Sequence, residues 1–448
     1  MTAAVLTRLA APALLPCDPA CSVVRDGVLD IDADGRIAWV GPRAEAPELP
    51  ASATVRELPG LLLPGLVNAH CHTPMTVLRG MGGDLPLMRW LTEVMWPAEA
   101  QLTGPDVRAG MLLGSVELLR AGVTTTVEMY FYTDAVIEAV LTAGSRVLLT
   151  PGIIAAPGWD RLGSWQQMLA EVSARIDADG LRHGPGDRIE LGYGPHAAYT
   201  LPAEALPAVA EAARERDALV HIHVAETTEE DAAQRAEYGS VPRMLDQLGA
   251  LGGRVLAAHA VHLDADDIAL LARHRVAVAH CPGSNAKLAA GTAPLAALRR
   301  AAVPIALGTD GPASSDDLDL WSQARLAGRL ARLASGNAAE LTAPDLLLLA
   351  TRLGAAAIGR DDIGALEPGR WADVVHVSTD DPAFLSLDDG PGADVGLISN
   401  LVWAAAGRLV RDVWVAGDQV LADGEPTRVD RGRVQADARA VAARLRAA

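Results

Sequence analysis

A chain of 448 residues, half of them apolar and 21% charged, is long enough for one barrel-sized domain and a smaller companion. Its net charge of −18 argues against nucleic-acid polymers as partners, though not against a small, weakly charged nucleoside. Cys17, Cys21, Cys71 and Cys281 are too few and too scattered for a disulfide framework, which fits a reducing cytoplasm. No charge-free apolar run of about 18 residues offers a membrane span.

Residues 1–58 read as short strands and turns. The opening MTAAVLTRLAAPALLPCDPACSVV carries one Arg8, a proline amid its apolar run and no clean A-x-A site, so it reads as a strand and not as a signal peptide. GVLDIDADGRIAWVGP (27–42) is a pair of alternating runs around the hairpin signal Ala33-Asp34-Gly35. From residue 59 to about 365, strand-like runs alternate with helical patterns. The strands are LLLPGLVNAH (61–70), VTTTVEMYF (123–131), RVLLTPGII (146–154), RIELGYGPH (188–196), ALVHIHVAE (218–226), RVLAAHAVHL (254–263), RVAVAHCPGS (275–284) and VPIALGTDG (303–311). LPAEALPAVAEAARERD (201–217) and DADDIALLARH (264–274) are among the intervening helices. Eight such units predict a (β/α)8 TIM-type barrel. A doubly wound open sheet would need a glycine-rich phosphate loop after its first strand, and NAHCHTP is not one. A second strand-rich segment follows in 366–448, at 369–378 and 407–424, before a terminal helix (ARAVAARLRAA) able to serve self-association or to pack on the protein itself.

In such barrels chemistry sits at the C-terminal strand ends. There the chain places His70 and His72 (first strand), His196 (fourth), His223 and Glu226 (fifth), His259 (sixth) and Asp310 (eighth). Ionisable side chains ending apolar strands are poor core material, because burial without partners costs several kcal/mol. Their convergence fits one metal with an open water position, held by His70, His72, His223 and Asp310. Glu226 is the candidate proton shuttle, His259 can orient the attacking water, and Asp310 can accept its proton. His221, two residues before His223 on the same strand face, competes for the ligand role; His223 is preferred as nearer the strand end. His183, His262, His274 and His376 read as structural or surface residues, Asp316, Asp317 and Asp319 as a helix start, and Cys17 with Cys21 as a loop pair. A zinc site of the H-x-E and P-C-x-x-C type finds neither motif in the sequence.

PGLVNAHCHTPM, HIHVAETTEE, LAAHAVHL and LGTDGPASSDDLDL, in this order, resemble the metal-dependent amidohydrolase superfamily. TVLRGMGGDLPLMRWL (76–91) and CPGSNAKLAAGTAPL (281–295) bring the likeness closest to its methylthioadenosine/S-adenosylhomocysteine deaminase branch, over residues of about 20 to 425. The resemblance implies a barrel flanked by a small β-sandwich built from both chain ends (1–58 and 366–448). It also implies a single divalent metal, zinc foremost with iron, manganese or nickel as alternatives, and no bridging lysine from the fourth strand. By the same likeness Glu99 would recognise ribose hydroxyls, His196 the base or sugar, and Arg161 the substrate from the loop after the third strand. Pro151 stands where that branch commonly has an arginine for the far end of the substrate. The expectation is thus a hydrolytic deaminase of a 5′-deoxy or 5′-substituted adenosine, of the methylthioadenosine or aminodeoxyfutalosine type, releasing ammonia. A guanine- or pterin-type deaminase and a triazine chlorohydrolase are the alternatives on the same fold, with a metal-free binding protein behind them.

Overall fold

The computed structural model describes residues 4–385, 392–405 and 407–447. Eight strands run parallel around one core: Leu66–Cys71, Val123–Glu128, Arg146–Leu149, Ile189–Leu191, Leu219–Val224, Arg254–His259, Ala277–His280 and Ile305–Leu307. The first four pair in sequence order, as do the last four. A parallel bridge from Tyr193 to Val220 joins the two halves. The ring closes where the Asp310 amide donates to the His70 carbonyl at 3.0 Å, and Asn68 exchanges hydrogen bonds with Thr309 through its side chain. The strands are buried along nearly their whole length, which explains why they read as continuous apolar runs and not as alternations. Beyond the third and fourth strands, short extensions at Gly152–Ile153 and Gly194–Pro195 pair with each other and lengthen the rim.

The helices between the strands start on local signals. Thr103 and Asp106 form a capping box before Gly104–Arg120, and Ser164 with Gln167 does so before Trp165–Asp179. Asp264 with Asp267 caps Ala265–His274, close to the predicted helix. Asp319 accepts from the Trp321 amide at the start of Leu320–Ser335, so part of the acidic cluster is indeed a helix start, while Asp316 pairs with Lys287. No helix among the described residues is long and apolar enough to cross a membrane.

Strands from both chain ends share one sheet of nine strands. Val5–Leu14 pairs antiparallel with Val24–Asp32, which pairs with Ile37–Pro42 around the predicted hairpin. Gly35 takes φ +79° there, and a Cβ on it would stand 2.1 Å from the Ala416 carbonyl oxygen. Leu61–Pro64 runs parallel to Val5–Leu14 and antiparallel to Val374–Val377, from which the sheet continues through Val410–Val415 and Asp418–Ala422. The run expected as one strand over 61–70 is therefore two, one in each sheet. At the break, the Gly65 amide donates to the Asp373 carbonyl, and a Cβ on Gly65 would meet the Thr124 hydroxyl at 2.0 Å.

Ion pairs rooted in the barrel reach this sheet and the segment that follows the last barrel helix. Arg146 reaches Asp373 at 2.9 Å, and Arg188 donates to the Val415 carbonyl and to Asp418. Glu190, fully buried, takes Arg254 at 2.9 Å and Arg360 at 3.2 Å. The terminal helix Arg431–Ala447 buries Val434, Ala438 and Leu445, and its Arg444 pairs with Asp106 at 2.7 Å, so it packs on the chain's own barrel.

Candidate metal centre and active site

Four strand ends aim their side chains at one point. A register shift between Asn68 and Cys71 breaks the ladder between the first two strands just where His70 and His72 leave it, the usual work of a bulge beside a site. Asp310 and His259 both hold left-handed backbone, with φ of 59° and 70°, a strained conformation for residues with a Cβ that concentrates at functional sites. His70 Nε2 and His72 Nε2 each lie 3.3 Å from Asp310 Oδ1, and His72 Nε2 lies 3.3 Å from His223 Nε2. The donor atoms of His70, His72 and His223 fall within 4.8 Å of one another, as do those of His70, His259 and Asp310.

Hydrogen bonds decide what these nitrogens present. His72 Nδ1 donates to the Met129 carbonyl and His223 Nδ1 to the His196 carbonyl, both at 2.7 Å. A carbonyl only accepts, so each ring's proton is committed there and each Nε2 carries a lone pair. Two such nitrogens 3.3 Å apart repel unless a cation lies between them. His70 Nε2 is wholly buried and has no hydrogen-bond partner, its contact with Asp310 being long and poorly aligned. Burial drives the His70 ring down to about 3, so it is neutral, the form that binds metal. Three imidazole nitrogens and one carboxylate oxygen thus fit a divalent cation of the zinc type. Ser314 donates to the other oxygen of Asp310 at 2.8 Å and fixes the carboxylate plane.

Beside this cluster stand the two expected proton-handling residues. Glu226 is buried, and desolvation, with the Asp310 charge adding to it, pushes its carboxyl well above the ordinary range. His259 Nε2 lies 3.7 Å from Glu226 Oε1, and its Nδ1 is held by Asn285 Oδ1 at 2.9 Å. Asn285 was not singled out from sequence, although it stands in the CPGSNAKLAAGTAPL stretch; only the fold brings it 26 residues back to His259.

One cavity joins these groups. His72, His223, Glu226, His259 and Asp310 line it together with Glu99, His196 and a wall of Trp90, Trp96, Phe131 and Trp159. The Tyr130 hydroxyl donates to Glu99 at 2.9 Å, and burial lifts the Glu99 carboxyl to about 7. His196, driven to about 3 by burial, packs its ring 4.7 Å from that of His223. Trp90, Trp96 and Glu99 share one segment. It folds as a helix interrupted by a π-turn at Leu91–Met95, where the Trp96 amide reaches back to the Leu91 carbonyl just before Pro97, which has no amide to give. Arg161 does not line the cavity. It is exposed, its guanidinium lies 4.7 Å over the Trp159 ring, and it donates to the carbonyls of Glu99 and Ala100. Pro151 lines a larger neighbouring cavity of about 780 Å³ beyond Phe131 and Gly152, which holds none of the site histidines.

The amidohydrolase family model matches residues 61–420. A 5-methylthioadenosine/S-adenosylhomocysteine deaminase of Pelotomaculum thermopropionicum is 38% identical over 427 residues, covering 94% of this chain and 95% of that one. A 5′-deoxyadenosine deaminase of Methanothermobacter thermautotrophicus is 40% identical over 389 residues, covering 86% and 87%. Among solved structures, an adenosine deaminase from Xanthomonas campestris with bound zinc superposes with a TM-score of 0.91 at 36% identity, over the full length of both chains. The chain belongs to the amidohydrolase family and, within it, to the hydrolytic deaminases.

Proposed function

We propose that the protein hydrolyses the amino group from the adenine ring of a nucleoside, using one divalent cation, zinc foremost, held by His70, His72, His223 and Asp310. The observation that carries this reading is the shared cavity: the buried Glu226 and the imidazoles of His72, His223 and His259 line the same space as Glu99, a buried carboxyl suited to hydroxyls. A cation in that ring of donors would acidify a water and make hydroxide available near neutral pH. The chain's own groups do the rest. Glu226 donates its proton to the ring nitrogen next to the amino-bearing carbon, making that carbon electrophilic. Asp310 takes the proton from the oxygen that adds there. His259, its Nδ1 tied to Asn285, keeps Nε2 turned toward that oxygen. Asp310 passes that proton to the amino group, which leaves as ammonia, and the remaining hydroxyl proton goes to Glu226 as the ring carbon becomes a carbonyl.

The wall of the cavity bears on the 5′ substituent. Its ionisable carboxyl groups are Glu99, Glu226 and Asp310, with no lysine or arginine among the described residues that line it. Arg161 is occupied with backbone carbonyls, and position 151 is proline. A tail carrying a carboxylate would enter without a partner, while a methylthio or deoxy group would meet Trp90, Trp96, Phe131 and Trp159. The preferred substrates are accordingly adenosines with a neutral 5′ group. A spectrophotometric screen of the zinc-loaded protein would cover adenosine, 5′-deoxyadenosine, methylthioadenosine, S-adenosylhomocysteine and aminodeoxyfutalosine, with guanine, a pterin and a chlorotriazine as controls. Loss of adenine absorbance with ammonia release, fastest for the neutral 5′ groups, is expected. Turnover of a control alone would overturn the substrate class, and S-adenosylhomocysteine as the best substrate would overturn the reading of the wall.

A further inference from the structure

His221 is not idle packing. We infer that His221 and Thr150 form a buried proton-ordered relay that holds His70 in the one tautomer able to bind metal. Resting on the metal reading above, this makes His221 and Thr150 positioning residues for a ligand that they help to aim.

The order of protons follows from the end of the chain of contacts. Thr150 Oγ1 lies 3.0 Å from the Glu128 carbonyl oxygen and 3.0 Å from His221 Nδ1. The carbonyl, which also takes the Thr150 amide at 2.8 Å, can only accept, so a hydroxyl oxygen 3.0 Å away turns its single proton there to avoid setting lone pair against lone pair, and the Thr150 oxygen is left to accept from His221. His221 Nδ1 therefore carries the proton, and His221 Nε2 carries a lone pair. That nitrogen lies 2.7 Å from His70 Nδ1, which must then be the donor. With its proton committed at Nδ1, His70 presents a bare Nε2 toward His72 and Asp310, which is the atom that no protein donor satisfies. In the reverse order, with the Thr150 proton on His221, His70 Nε2 would be protonated and closed to a cation.

Two features make the relay necessary. His72 and His223 are each fixed by a backbone carbonyl, but His70 has no carbonyl on its Nδ1, only another imidazole, which can be donor or acceptor. An ambiguous partner needs an anchor, and Thr150 supplies it. His70, Thr150 and His221 are also all fully buried, so water cannot stand in for a missing member.

The test is zinc affinity by chelator competition on the purified full-length protein, with the thermal midpoint of each metal-free variant as a check on folding. His221→Leu leaves His70 Nδ1 without an acceptor and is expected to weaken zinc binding about 10–100-fold, the usual scale for a residue orienting a metal-bound histidine. His221→Gln presents an oxygen toward His70 and an amide toward Thr150, and is expected to recover affinity to within about 3-fold of the parent, most of that loss. Nitrogen-15 chemical shifts of the metal-free parent should show His70 protonated at Nδ1. Unchanged affinity in His221→Leu, a glutamine variant as weak as the leucine one, or His70 protonated at Nε2 would each overturn the relay. Should His221→Leu fail to fold, Thr150→Val removes the anchor alone, with a weaker zinc site expected and parental affinity refuting. His70→Ala separates this from the site reading: it should abolish tight zinc binding, and retained zinc would overturn the metal site and the relay with it.

Discussion

Replacing Glu99 with Gln tests the buried carboxyl where stability and recognition meet. Burial raises this group from an ordinary 4.5 to about 7, against the opposing pull of the Tyr130 hydroxyl and the Arg161 charge. The gap corresponds to about 3 kcal/mol at 1.36 kcal/mol per unit. A folded value above the unfolded one fixes the sign: the contribution is intact below pH 4.5, declines as pH rises, and is lost above about 7. Gln keeps an acceptor for Tyr130 but cannot ionise, so the variant escapes that loss. At pH 8 the gain approaches about 3 kcal/mol, and at pH 5 it stays under about 1 kcal/mol. With an unfolding entropy near 2.1 cal/mol/K per residue, a chain of 448 residues shifts its midpoint by about 1 °C per kcal/mol. Thermal unfolding should thus show the variant about 3 °C above the parent at pH 8 and within about 1 °C at pH 5. The same variant should raise KM for adenine nucleosides far more than for free adenine. An equal shift in midpoint at both pH values would refute the buried-charge account, and equal kinetic losses for nucleoside and base would remove the ribose role.

Three further outcomes are expected. Glu226→Gln should keep its metal, measured by elemental analysis, while turnover falls by at least ~10²-fold, as for loss of an acid-base group; surviving turnover would place the proton donor elsewhere. Asp373→Asn strands the Arg146 guanidinium in a dry site and should cost about 3–5 kcal/mol in urea unfolding, with turnover per folded molecule unchanged; a cost below about 1 kcal/mol would mean that the pair does not fasten the sheet to the barrel. Chelation of the metal should abolish turnover reversibly and lower the thermal midpoint, the bound ion at 100 times its Kd being worth about 2.7 kcal/mol; turnover persisting in metal-stripped protein would refute the metal reading.

The rim of the barrel was legible because ionisable residues interrupt apolar runs at strand ends, a pattern that core packing alone does not produce. His70, His72, His223, Glu226, His259 and Asp310 come from four strands, yet the rule that chemistry sits at C-terminal strand ends suffices to gather them. What escaped depends on contacts between distant elements. Gly65 splits an apolar run that looks continuous, and only the Thr124 side chain against it shows why. The π-turn before Pro97 has no periodicity to announce it. Asn285 and Thr150 are polar residues of ordinary appearance, and their partners His259 and His221 lie 26 and 71 positions away. Arg161 was legible only through a family likeness, and a backbone carbonyl now occupies the guanidinium expected to reach substrate.

The sheet shared by the two chain ends sets the order in which the protein can be made. Leu61–Pro64 needs Val374–Val377 as its second neighbour, about three hundred residues later in synthesis. Until the ribosome has delivered that strand, Leu61–Pro64 offers an apolar edge of four buried-type residues with one side unpaired, just ahead of the first barrel strand. Closure over so long a loop gives the contact a high entropic threshold and makes it a late event, after the barrel strands have collapsed on their neighbours. Nascent chains stalled before residue 374 would carry that open edge into the crowded cell, so the chaperone demand of this enzyme should persist through most of its translation and end only in the last fifth.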